Sequence, residues 1–157
     1  VSASYAENPF CLVVNGDNEE IKSFEDLDGK VCANSPSSTA GQIAQSYGAT
    51  TADADLTGAM DMLNTNRVDG HVNNVAAVDE YMKNRPDVNV KIAAVFQPAD
   101  DQKYMIESAA MFRKEDQALC DKVSEIISEM IQDKTLYNLT VKYFGQTVAD
   151  SVSLYNK

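Results

Sequence analysis

The 157 residues predict an α/β fold, with a mostly parallel sheet flanked by helices. Between Val31 and Phe96, short apolar runs alternate with stretches of helical periodicity, the pattern of strands joined by crossover helices. The expected strands at 31–33 and 68–72 each run straight into a helix start. Ligands of such sheets sit outside the carboxyl ends of the strands, so these two helix openings are expected to face one crevice.

The elements follow in order. Residues 10–14 (Phe-Cys-Leu-Val-Val) form an apolar run closed by Asn15, Gly16, Asp17 and Asn18, a buried strand and its turn. Ser23 and Asp26 have capping-box spacing and Gly29 is a terminator, which predicts one helical turn over 23–29. Val31, Cys32 and Ala33 make the next strand. A helix then starts near Thr39, where Thr39 and Gln42 match a capping box, and stops at Gly48. A short strand is expected around Thr50 and Thr51. Leu56, Ala59, Met60 and Leu63 share one face of a helix over 55–64. Residues 68–72 read as a strand. Asn74 opens a helix lined by Val75, Val78, Tyr81 and Met82, with Pro86 beyond its end. Residues 90–96 read as a central strand, on length and apolarity. Residues 104–112 read as an interrupted strand. Leu119, Val123, Ile126, Ile127 and Met130 form the apolar side of a helix over 116–132. A shorter helix over 135–144 ends at Gly145, and the tail from Gln146 shows no strong pattern.

The chemistry concentrates at residues 34–45. A helix N-terminus offers N–H groups without intrahelical partners and the positive end of the dipole. Ser37, Ser38 and Thr39 crowd that point together with Ser35, and no acidic side chain is there. The site suits a small anion, a carboxylate or phosphate. The same residues also fit a well-capped helix whose hydroxyls face water.

Composition narrows the functions. A net charge of -11 supplies no basic stripe for nucleic acid and disfavours an anionic membrane surface. No apolar run approaches the ~20 residues that span a bilayer. Cys11, Cys32 and Cys120 are far apart, odd in number and in apolar surroundings, which predicts buried reduced thiols rather than zinc. Val1 is not an initiator methionine, which implies a processed or truncated chain. His71 is the single histidine, expected within a strand as a packed or edge residue. Asp69 is expected to hold a turn.

Four phrases in register resemble the bacterial extracellular solute-binding proteins of the polar amino-acid family, the receptors of ABC importers. Residues 21–30 are similar to that family's I-K-S-x-x-D-L-x-G-K, residues 66–70 to G-R-V-D-A, residues 113–116 to R-K-G-D and residues 142–145 to K-W/Y-F-G. The resemblance implies a periplasmic-binding-protein-like lobe of type II with additional C-terminal helices. It places a crossover strand at 1–15, ligand-binding lobe two at 16–103, and at 104–157 a return segment with helices belonging to lobe one. It puts Ser37, Ser38 and Thr39 on the turn that contacts a ligand's α-carboxylate, with Ser37 departing from a family glycine. At Asn74, relatives commonly carry an aspartate that pairs with the ligand's ammonium, and Asn73 precedes it. A charged hydrogen bond there is worth roughly 1.5–3 kcal/mol and a neutral one about half. Asn74 also fits a plain helix cap.

The implied function is extracytoplasmic binding of a small polar amino acid or related zwitterion, without a cofactor, and its delivery to an ABC transporter permease. The implied location is the periplasm, or a lipid anchor on the outer face of the membrane. The half of such a receptor that supplies an arginine clamp and stacking aromatics is not among these residues. The apolar face of the 116–132 helix is therefore expected to be covered either by a second copy in a homodimer or by a missing partner segment, a symmetric dimer being the simplest cover. Two alternatives stay open: a dehydratase-like enzyme on the same scaffold, with His71 or Cys32 as acid or base, and the sensing domain of a membrane receptor.

Overall fold

The computed structural model describes residues 1–156. The chain forms two compact units, one of residues 10–97 and one of residues 1–9 with 98–157.

In the unit of residues 10–97, β2 (Phe10–Asn15) is the centre. All six of its residues are buried, and Leu12, Val13 and Val14 are wholly enclosed. Each such side chain contributes about 1.5–3 kcal/mol on leaving water. β5 (His71–Asn74) pairs with one edge of β2 and β6 (Val90–Val95) with the other, both antiparallel. β3 (Val31–Ala33) and β4 (Thr50–Ala52) pair in parallel. Backbone bonds from Asp69 and Gly70 to the Val31 carbonyl, and from Ala33 N–H to the Gly70 carbonyl, join β3 to β5 in parallel. The spatial order is thus β4, β3, β5, β2, β6. Four strands run one way and β2 alone runs against them, so the sheet is mostly parallel in direction.

Two expectations need correction. β6 lies at an edge and is mostly half-buried, so β2 is the central strand. Apolarity reports burial of the faces and is blind to which strand has a neighbour on both sides. β5 begins at His71, not Val68, because Asp69 and Gly70 spend their amides on Val31. Asn73 and Asn74 therefore belong to the strand itself. Residues 10–15 are bonded on both sides within this unit.

The helices start and stop for local reasons. α1 (Thr39–Ser46) is capped by Ser38, whose hydroxyl accepts the Gly41 N–H at 3.0 Å. The expected Thr39–Gln42 box does not form, and Gln42 Nε2 reaches the Ser37 carbonyl instead. α2 (Leu56–Asn64) buries Ala59, Met60 and Leu63, and its N-cap Asp55 accepts the Gly58 N–H at 2.8 Å. α3 (Val75–Asn84) buries Val75 and Val78. The expected turn at 23–29 is a 3-10 helix, Phe24–Leu27. The Asp26 carboxylate accepts from Lys22 N, Ser23 N and Ser23 Oγ, and these bonds hold its pKa below the usual carboxylate range. Asp69 is structural, with Oδ2 accepting the Val31 N–H at 2.8 Å.

In the other unit, β1 (Ser4–Glu7) pairs antiparallel with β7 (Glu107–Ala109). β7 is shorter than the expected strand because a 3-10 helix takes Asp100–Met105. α4 (Gln117–Gln132) buries Cys120 and Ile127, while Leu119 and Ile126 of its expected apolar side are exposed. Ser124 Oγ accepts the Ala3 N–H and fixes α4 against β1. α5 (Thr135–Phe144) has the expected bounds. The tail, unpatterned in sequence, forms α6 (Gln146–Ser151) and a 3-10 turn, Ser153–Asn156. Glu7, buried, holds that turn by accepting Ser153 N–H and Oγ–H. No helix among the described residues is long and apolar enough to cross a membrane.

Candidate functional site

A cavity of 370 Å³ opens in the unit of residues 10–97, where β3 gives way to α1 and β5 gives way to α3. Ser35, Ser38, Thr39 and Ala40 line it from the α1 turn, and His71, Asn73 and Asn74 from β5. Phe10 lines it from β2, and Ala54, Asp55 and Leu56 come from the start of α2. Of the residues anticipated from sequence, Ser35, Ser38, Thr39, Asn73 and Asn74 meet at one cavity. Ser37 is exposed and does not line it.

The α1 turn is built for close approach. Ser38 N–H and Oγ–H both donate to the Ser35 carbonyl, at 3.1 and 2.8 Å. Gly41 sits directly behind: a Cβ there would lie 2.1 Å from the Ser35 carbonyl oxygen. Only a hydrogen fits. The cap satisfies the Gly41 amide, while the Thr39 and Ala40 N–H groups at the cavity wall find no acceptor among the described residues. Two orphan amides at the positive end of a helix dipole, beside the Thr39 hydroxyl, can receive a carboxylate.

Asn34 holds the two strand ends together. It is buried, its Nδ2 donates to the Val72 carbonyl at 2.8 Å, and its Oδ1 accepts the Val72 N–H at 3.0 Å. The side chain thus continues the β3–β5 pairing where the backbones separate. Asn73 is held by Cys11, whose Sγ–H donates to the Asn73 carbonyl. Asn74 is the N-cap of α3 by backbone, yet its side chain makes no capping bond to that helix.

The buried thiols are inert. Burial pushes Cys11 and Cys32 up to about 12, so both stay protonated at neutral pH. All three cysteines are free and buried. His71 is buried and engages both ring nitrogens, Nδ1 with the Ala33 carbonyl and Nε2 with the Asn73 amide.

Among the lining residues that sequence reasoning missed, Asp55 and Asn34 matter most. Asp55 was legible only as a helix start, yet it is the one carboxylate among the lining residues. Asn34 preceded the hydroxyls without any periodicity to mark it as buried.

Comparison with known proteins agrees with this fold. Residues 1–146 match the family of bacterial extracellular solute-binding proteins, family 3. The L-cystine-binding protein TcyA of Bacillus subtilis is 32% identical over 149 residues, 94% of this chain and 53% of that protein. A probable amino-acid ABC transporter-binding protein of Haemophilus influenzae is 29% identical, over 87% of this chain and 51% of its own. The unliganded, open L-cystine solute receptor of Neisseria gonorrhoeae superposes with a TM-score of 0.73 at 30% identity, covering 94% of this chain and 61% of that one. The chain thus spans about half the length of the curated relatives it matches. With a family match over nearly all its residues and the fold to go with it, this chain belongs to the bacterial extracellular solute-binding proteins, family 3.

Proposed function

We propose that the cavity between the α1 turn and the end of β5 binds the zwitterionic head of an amino acid. The observation that carries this is the pair of acceptor-less amides, Thr39 and Ala40 N–H, facing Asp55 and the Asn73–Asn74 amides around one cavity. The helix end receives the α-carboxylate. Asp55 supplies the opposite charge for the ammonium, with Asn73 and Asn74 as neutral partners in place of the carboxylate that the family resemblance would put at Asn74. In this reading residues 10–97 form lobe two, and residues 1–9 and 98–157 contribute to lobe one. The whole receptor hands its ligand to an ABC permease on the outer side of the cytoplasmic membrane, in the periplasm or tethered by a lipid. L-Cystine is the first ligand to test, because the names of two similar proteins carry it.

The test is calorimetric titration with L-cystine, L-arginine and L-glutamine. One lobe makes part of a receptor's contacts, so this chain is expected to bind far more weakly than 1 μM, about -8.2 kcal/mol. Micromolar binding by the monomer would overturn the two-lobe division of the site. Asp55→Asn keeps a capping side chain for α2 and removes only the charge. It should weaken binding about tenfold, roughly 1.4 kcal/mol. An unchanged dissociation constant would remove Asp55 from the site.

A second copy is proposed to cover the exposed apolar residues of α4 and α5: Leu119, Ile126, Leu139, Tyr143 and Phe144. Light scattering should then read twice the 17.1 kDa chain mass. A reading of one chain mass at high concentration would sink the dimer.

A further inference from the structure

Among the described residues of the cavity wall, one titratable side chain is fully buried: His71, 2% exposed. Its Nδ1 lies 2.5 Å from the Ala33 carbonyl oxygen, and its Nε2 lies 3.1 Å from Asn73 Nδ2. A carbonyl only accepts, so Nδ1 carries the proton and neutral Nε2 must accept. The Asn73 amide is thereby oriented, NH2 toward His71 and Oδ1 toward the Asn74 N–H, which donates to it at 2.8 Å. Every bond in this chain has one allowed direction. It runs from the end of β3, through the imidazole, to the junction of β5 and α3.

A second proton on His71 breaks that order. Nε2–H would then face the Asn73 NH2, donor against donor. If the Asn73 amide turned over to accept from it, its NH2 would meet the Asn74 N–H, again donor against donor. One bond is lost in either arrangement, at a ring that is itself buried while Asn73 and Asn74 are half-buried. Resting on the reading of this cavity as an amino-acid site, we propose that His71 is a positioning residue: its neutral, Nδ1-protonated ring sets the Asn73 amide and the Asn74 backbone for ligand, and taking up a proton weakens binding. His71 does not touch the ligand in this scheme and does no chemistry.

The neighbours leave this titration to His71. Cys32 on β3 and Cys11 on β2 stay protonated, pushed up to about 12 by burial. α1 carries no charged residue. Asp69, two residues before His71, is bound to Val31, and Asp55 stands exposed across the cavity. Burial pushes the His71 imidazole below its ordinary 6.5, against a smaller opposite effect of the Ala33 bond. The unfolded chain therefore takes up the proton first. Stability from this group is complete above pH 6.5 and is lost as pH falls toward the folded pKa. The binding-competent form is present over that same upper range.

The single histidine makes the test direct. Nitrogen-15 spectra of the imidazole read tautomer and protonation, while amide-shift titrations with L-glutamine and L-cystine read the dissociation constant from pH 7.5 to 4.5. The expected result is an Nδ1–H tautomer at pH 7.5 and a dissociation constant that rises at least tenfold, its midpoint coinciding with that of the imidazole. His71→Gln can donate to Ala33 and accept from Asn73 without titrating, so its dissociation constant should change less than threefold over the range. An Nε2–H tautomer overturns the proposal. So does affinity that ignores the imidazole's titration, or a His71→Gln protein with the wild-type pH profile. If that variant does not fold, the two wild-type midpoints still decide. Absence of ligand shifts at every pH overturns the amino-acid reading itself, which the tautomer measurement does not touch.

Discussion

Gly41→Ala is expected to abolish ligand binding and to lower the unfolding free energy of this chain by about 3 kcal/mol. The added methyl would have to lie 2.1 Å from the Ser35 carbonyl oxygen, 3.0 Å from its carbon and 3.2 Å from Pro36 Cα. All three are backbone atoms, so no flexible side chain can move aside. Relief requires the α1 turn to swing away from the helix, which breaks the two Ser38 bonds to Ser35 and displaces Thr39 and Ala40 N–H from the cavity wall. The same step would slacken the Ser38 cap on Gly41. Denaturant unfolding and a titration on the refolded variant measure the two effects separately. A variant that unfolds at the wild-type midpoint and binds normally would show that the turn tolerates a side chain, and would refute the close-approach account.

Asn34→Ala is expected to cost about 2–4 kcal/mol, because it strands both the N–H and the C=O of Val72 in a buried place. At about 2–4 °C per kcal/mol for a chain of this length, the midpoint should fall by roughly 4–16 °C. Asn34→Asp tests the same pair by chemistry: a carboxylate can still accept from Val72 N–H but cannot donate to its carbonyl. It should be destabilised too, and more so at neutral than at acid pH, where a protonated acid can donate again. Equal midpoints for wild type and Asn34→Ala would mean that water replaces the amide without loss.

These two residues mark where sequence reading stops. The hydroxyl cluster and the helix start at Thr39 were legible, because a hydroxyl-rich strand-to-helix turn is written within a few neighbouring residues. So were the buried run of β2 and the bounds of α5, since burial at a fixed period reports an element's own geometry. The tail helix α6 was not legible. Its six residues are too few for a periodic stripe, and its last turn is held by Glu7, far away in sequence.

What local order determined by itself is the class of fold, the family phrases and the helix opening that offers two unsatisfied amides. The tertiary structure decided which groups meet there. It left Ser37 outside the cavity, brought Asp55 in from a different helix, and set Asn34 between strands 38 residues apart. It also gave His71 its tautomer, by putting an acceptor-only carbonyl from β3 against one ring nitrogen. Such choices depend on long-range pairing, and a residue's type carries no record of the partner that the fold will place beside it.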